Sequence, residues 1–310
     1  MSSLSAIINP VTLGREVSKL KVYIYTSHAT EHGLGFEQRV IDGGRGKILG
    51  DVKKTTKLRN PSTLVSLLMD DTVRVYGVEH DSNNICLVAP IHEPIPNTTA
   101  KQGYIAGCAV KNKNDNKSDP GWLYYTVVDP DNGTSIQEQS LSDTTGGQRN
   151  TGSDGILDNT WLAAFHDGAT RWLVYQKKKN NVIFVRDVGV DDGDEYAVEK
   201  NNIIARQQAQ IGAVFVSAAD SGTNKGVAWI YFTNKANQLW RTSSKISDSL
   251  KFAVPYLVPD SGEIKPDSQI SVVADVPRRR NVIYTMLKSN MDEISIIIDE
   301  WDKKAEKPSE

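Results

Sequence analysis

Trp172-Leu173-Val174-Tyr175-Gln176 sets four bulky residues before a polar one, and the chain returns to this pattern again and again. The other copies are Val22-Tyr23-Ile24-Tyr25-Thr26, Arg74-Val75-Tyr76-Gly77-Val78, Trp122-Leu123-Tyr124-Tyr125-Thr126, Trp229-Ile230-Tyr231-Phe232-Thr233 and Asn281-Val282-Ile283-Tyr284-Thr285. Aligned on the fourth position, the column reads Tyr25, Gly77, Tyr125, Tyr175, Phe232, Tyr284, a period of about 50 residues. Upstream of each copy lies a run of small and branched apolar residues, such as Tyr104-Ile105-Ala106-Gly107-Cys108-Ala109-Val110. Downstream, after turns such as Asp81-Ser82-Asn83-Asn84, Asp129-Pro130-Asp131-Asn132-Gly133 and Asn180-Asn181, comes a third run such as Val182-Ile183-Phe184-Val185. Asn, Asp and Gly supply the positive φ angles of tight hairpins. The β-branched and aromatic runs have the composition of strands.

Each unit therefore reads as three strands plus a variable outer fourth. Six units predict an all-β chain, a six-bladed β-propeller in which each sheet buries its faces against its neighbours. The blades are expected at approximately 1–58, 59–100, 101–157, 158–207, 208–265 and 266–301, with 302–310 a frayed polar tail. A length of 310 residues would also suit two ordinary domains, and the counted repeat favours one. The N-terminal segment is expected to begin the first blade.

Composition excludes several functions. The 36 Lys and Arg residues against 38 Asp and Glu leave a net charge of −2, so no broad field attracts nucleic acid. No apolar run reaches the roughly 18 residues of a membrane span, so no membrane insertion is expected. The start has no basic segment before its short apolar stretch, and a cytoplasmic location is expected. The two cysteines, Cys86 and Cys108, sit in strand-like runs and read as small buried hydrophobes. Sequons at Asn97, Asn116 and Asn132 read as chance matches in polar loops. The acidic run 187–195 lacks the spacing of a calcium loop, and Gly43-Gly44-Arg45-Gly46 follows no phosphate-loop pattern. Lys177-Lys178-Lys179 and Arg278-Arg279-Arg280 read as solvated hairpin tips. The five His residues show neither metal-ligand spacing nor a Ser-His-Asp arrangement, so neither a metal nor a cofactor is expected.

A ring with an R-V-Y-like second strand and an I-x-E-like third strand resembles the fungal fucose-specific lectin family. The resemblance implies sugar pockets between blades, where an Arg opening the second strand and a Glu on the third bind hydroxyls and an aromatic covers the sugar's apolar face. Carried over by position, the Arg column holds Val22, Arg74, Trp122, Trp172, Trp229 and Asn281, and the Glu column Gln38, Leu87, Glu138, Val185, Arg241 and Ile296. No blade keeps both partners. A shifted register in the first blade would offer Lys21 with Glu37, and Lys lacks the planar fork of Arg.

Lectin-like propellers with erased sugar sites are similar to the cofactor-free hetero-Diels–Alderases of fungal tropolone sesquiterpenoid biosynthesis. That likeness implies an enzyme joining a tropolone-type quinone methide to a humulene-type macrocycle. Its ligand would be a small hydrophobic polyketide or terpenoid. Trp122, Trp172 and Trp229 are then expected as apolar walls, Arg241 or Arg74 as donor to a carbonyl oxygen, and Glu138 or His166 as the proton-handling group. His166 is expected near the central channel. Two alternatives stand beside this reading: a divergent glycan-binding lectin, and a partner-binding scaffold or homodimer with an exposed apolar patch.

Overall fold

The structure is a computed structural model and describes residues 3–12, 20–27, 33–41, 43, 47–52, 57–111, 118–142, 148–152, 154–190, 193–198, 204–246 and 250–301. The tail at 302–310, Asn116 of the second sequon, Gly44-Arg45-Gly46 and Asp191-Asp192 of the acidic run lie outside the described residues.

Six antiparallel sheets follow one another along the chain. Blade one comprises β1 (Leu4–Ile8), β2 (Lys21–Ser27), β3 (Leu34–Val40) and β4 (Lys47–Val52). Blade two comprises β5 (Val65–Met69), β6 (Thr72–Val78), β7 (Asn84–Ala89) and β8 (Glu93–Thr99). Blade three comprises β9 (Ile105–Ala109), β10 (Gly121–Asp129), β11 (Gly133–Ser140) and β12 (Arg149–Gly152). Blade four comprises β13 (Ala163–His166), β14 (Arg171–Gln176), β15 (Ile183–Asp187) and β16 (Glu195–Ala197). Blade five comprises β17 (Ile211–Val216), β18 (Val227–Thr233), β19 (Leu239–Lys245) and β20 (Tyr256–Leu257). Blade six has three strands among the described residues: β21 (Ser271–Asp275), β22 (Arg280–Leu287) and β23 (Asn290–Glu300). The hairpin turns use the predicted residues: Asn83, Gly133, Asn180 and Asn181 have φ of 60°, 79°, 63° and 55°.

The innermost strands touch in the order β1, β5, β9, β13, β17, β21 and back to β1, which closes the ring as a six-bladed β-propeller. Their small residues have a packing cause. A Cβ on Gly107 would stand 2.8 Å from a Val65 methyl carbon and 3.0 Å from the Trp122 carbonyl. One on Gly212 would stand 2.7 Å from an Ile270 methyl carbon. The axis is left with a narrow cavity of about 160 Å³.

Apolar packing divides into six clusters, one in each interface between neighbouring blades. The fold is thus held by nearest-neighbour contacts around a circle. Glutamines bridge several joints. Gln176 donates to the Arg206 carbonyl at 2.6 Å and accepts from Ala209 N–H at 3.2 Å, joining blades four and five. Gln210 donates to the Lys265 carbonyl at 3.0 Å, joining blades five and six. Gln269, just before β21, reaches across the seam where the chain meets its own start. Its Oε1 accepts from Leu4 N–H at 3.1 Å and Leu64 N–H at 2.9 Å, and its Nε2 donates to the Leu64 carbonyl at 2.7 Å. Beside it, the Ser271 hydroxyl accepts from Ala6 N–H at 2.9 Å.

Both cysteines are buried and free. Desolvation pushes each thiol up to about 12. Among the described residues no helix is long and apolar enough to cross a membrane.

Candidate functional site: the interfaces between blades

The second strand lies mid-sheet, so alternate residues face the preceding and following blades. Tyr76 packs toward blade three, Tyr124 toward blade four, Val174 toward blade five and Tyr231 toward blade six. Arg74, Trp122, Trp172 and Trp229 lie two residues earlier and share those faces. Blade one and blade six depart from the expected column. Lys21 shares the side of Tyr23, which stands opposite Gln38, and its Nζ lies 3.5 Å from Gln38 Oε1. Glu37 points the other way, pairs with Arg39 at 2.8 Å, and Arg39 donates to the Ile294 carbonyl of blade six at 3.4 Å. The alternative Lys21–Glu37 pair is therefore not formed. In blade six, Val282 and Tyr284 face blade one, and Asn281 faces back to blade five. Arg280 occupies the column instead of Asn281 and is paired with the buried Asp275 at 2.8 Å. Both faces of every sheet are apolar, so alternation alone does not mark which face meets which neighbour.

The three Trp residues consequently lie in three separate interfaces, not in one cavity. Trp122, between blades three and four, stacks against His166 with ring centres 5.7 Å apart and lies under the Arg171 guanidinium at 4.5 Å. Arg171 lies 3.3 Å from Glu138, which stands opposite Tyr124 and not Trp122. An Arg, a Glu and a Trp thus meet, with the Arg supplied by the following blade. Burial raises the Glu138 carboxyl pKa, and Arg171 and the Tyr124 hydroxyl oppose that rise. His166 accepts from Gly168 N–H at 2.8 Å and borders Trp122. Its pKa is lowered, first by desolvation and further by Arg171, with Asp167 opposing. A histidine depressed in the folded state binds fewer protons than its unfolded counterpart, so stability is lost as pH falls through the unfolded value of about 6.5. His166→Gln is expected to flatten that part of the stability–pH curve, measured by urea unfolding between pH 5 and 8.

Trp172, between blades four and five, donates its indole N–H to Asp167 at 2.7 Å and packs with Phe165 and Tyr196. It is a core residue. Arg74, between blades two and three, is held by Asp70 at 2.7 Å.

A cavity of about 400 Å³ opens between blades five and six, lined among others by Trp229, Trp301, Phe252, Lys245, Lys251 and Arg279. No acidic side chain lines it among the described residues. Trp229 and Trp301 stack with ring centres 6.4 Å apart. The Trp229 indole N–H is buried and finds no acceptor among the described residues. Arg279 lies 5.7 Å over the Trp301 ring. Arg241 sits on the other side of this wall, 2 % exposed, with its guanidinium 4.6 Å from the Trp229 ring and 4.5 Å from the Tyr256 ring. It forms a buried ion pair with Asp299, which also accepts from the Tyr231 hydroxyl at 2.6 Å. Asn281 donates to that hydroxyl at 2.8 Å and accepts from the Trp301 indole at 2.9 Å. Burial pushes the Asp299 carboxyl up, and Arg241 opposes the rise.

Of the expected site residues, only Trp229 lines this cavity, and Arg241 supports it from behind. Trp122, Glu138 and His166 form a second cluster, and Trp172 and Arg74 belong to neither. The sequence reading missed Arg171, Asp299, Trp301 and Arg279. Trp301 closes β23 immediately before the polar tail, and an aromatic at that place was the available signal.

No family model matches the chain, and no curated protein matches it. Solved structures do. The fucose-recognising fungal lectin of Aleuria aurantia is 15 % identical, covers 98 % of this chain and 97 % of its own, and superposes with a TM-score of 0.64. A mutant of AofleA from Arthrobotrys oligospora is 12 % identical over 97 % of this chain and 83 % of its own, with a TM-score of 0.68. A Burkholderia pseudomallei lectin gives 10 % identity, 97 % and 82 % coverage and a TM-score of 0.63. The chain therefore has the six-bladed β-propeller fold of the fungal fucose-specific lectins and their like.

Proposed function

We propose that the chain is a cofactor-free pericyclase that adds a tropolone-type quinone methide to a humulene-type sesquiterpene in the cavity between blades five and six. The observation that carries this reading is a cavity lined by two stacked indoles and three cationic side chains, with no acidic one among the described residues. A volume of about 400 Å³ falls within the roughly 300–1,000 Å³ of small-ligand sites. In a hetero-Diels–Alder addition, one C–C and one C–O bond form while π bonds of the two reactants are consumed. No proton or electron passes to the protein, so holding both reactants in contact lowers the barrier. Trp229 and Trp301 provide flat apolar faces. Lys245, Lys251 and Arg279, which share the lining with the two indoles, stabilise negative charge on the quinone-methide oxygen as the rings join. Arg241 positions Trp229 without touching the ligand.

The test is the addition of a quinone methide, released thermally from its precursor, to a humulene-type alkene. Lys251→Met removes one cation from the lining and leaves both indoles in place, and is expected to lower kcat/KM by about 10²-fold. An unchanged rate in this variant, or no acceleration by the parent protein, overturns the reading. The meeting of Glu138, Arg171 and Trp122 favours a second reading, a divergent lectin. Binding of fucosylated glycans on an array, abolished by Glu138→Gln, would put that reading in place of the first.

A further inference from the structure

On the flank of blade two, three side chains of different chemistry converge. Glu79 follows β6, Cys86 lies within β7, and His92 sits in the turn between β7 and β8. The hairpin fixes the first two: Cys86 pairs with Gly77, and Glu79 N–H donates to the Asn84 carbonyl at 2.9 Å. The Cys86 Sγ, a His92 ring nitrogen and a Glu79 carboxylate oxygen all lie within 4.8 Å of one another. His92 Nε2 is 3.9 Å from Glu79 Oε1, while the Ser82 hydroxyl holds Glu79 Oε2. The thiol's contact is a weak one, to the Asn84 carbonyl at 3.7 Å.

We infer that Glu79, Cys86 and His92 form a binding site for a zinc ion, with water in the fourth position. Sulfur, imidazole nitrogen and carboxylate oxygen are the donors zinc takes, at about 2.0–2.3 Å. Those bond lengths set tetrahedral donors about 3.5 Å apart, so the cluster, now within 4.8 Å, closes by up to roughly 1.3 Å when the ion binds. A thiolate and a carboxylate together balance the dication. Cys86 gives its thiol proton to solvent as the Zn–S bond forms, and nothing is oxidised or reduced. The Ser82 hydroxyl acts as the outer partner that orients the carboxylate. The ion would join β6, β7 and the turn before β8, stiffening a blade remote from the cavity between blades five and six.

The experiment is calorimetric titration of the reduced protein with Zn²⁺, repeated with Co²⁺ under ultraviolet–visible absorption. One ion per chain is expected, with a thiolate-to-cobalt band in the near ultraviolet and a zinc-dependent rise in Tm. Cys86→Ser should erase the band. His92→Ala, at an exposed turn where folding is undisturbed, should weaken zinc by at least tenfold and remove the rise in Tm. Absence of stoichiometric binding, or undiminished binding in His92→Ala, overturns the assignment. Loss of zinc with cavity turnover intact would separate this site from the proposed activity.

Discussion

Asp299→Ala is expected to cost about 3–5 kcal/mol of folding free energy, read as a shift of the urea midpoint. The reason is the company Asp299 keeps. Arg241 is 2 % exposed, and its guanidinium lies between the faces of Trp229 and Tyr256 with Asp299 as its counter-ion. Removing the carboxylate leaves a cation out of water, with the Glu300 carbonyl at 3.2 Å as a neutral acceptor. It also strips the Tyr231 hydroxyl of its acceptor, and through Asn281 loosens the Trp301 indole. The double replacement Arg241→Met with Asp299→Leu should recover most of the loss, because neither charge then needs compensation. If the single variant unfolds at the parent's urea concentration, the pair is not held as described.

Gln269→Leu is the second large effect, about 3 kcal/mol or more. The change leaves Leu4 N–H, Leu64 N–H and the Leu64 carbonyl without the amide they share, at about 1–3 kcal/mol for each buried group that finds no replacement. Leu4 and Leu64 are 0 % and 1 % exposed, so water does not readily replace the amide. Amide hydrogen exchange gives the sharper readout. Protection should fall first at Leu4 and Leu64, where blades one, two and six meet. Retained protection there would mean the seam is held by the Ala6–Ser271 hydrogen bond and the packing of β1 against β21.

The fold was legible because the repeat could be counted. The period near 50 gave six units, and the Asn and Gly turns gave the hairpins. The facing of each strand was not legible in blades one and six. In Val22-Tyr23-Ile24-Tyr25 both alternating sets are large and apolar, since both sheet faces are covered, and nothing local distinguishes them. The same limit hid the site. Arg171 meets Glu138, and Asp299 meets Arg241, only across an interface between two repeats. Such partners lie 33 and 58 residues apart. Sequence pattern within one repeat carries no record of them. Trp229 was found because an indole replaced a charged column residue, yet its unused N–H became visible only when its neighbours were placed.

Every sheet is built from strands that follow one another in the chain, with none lent across the seam among the described residues. This bears on how the protein is made. As the chain leaves the ribosome, each blade has the partners of its strand ladder within its own length and can pair before the next blade exists. The ring then grows like a fan opened leaf by leaf. The step that waits for the last leaf is the packing of blade six on blade one, with Gln269 and Ser271 bonding the first strand.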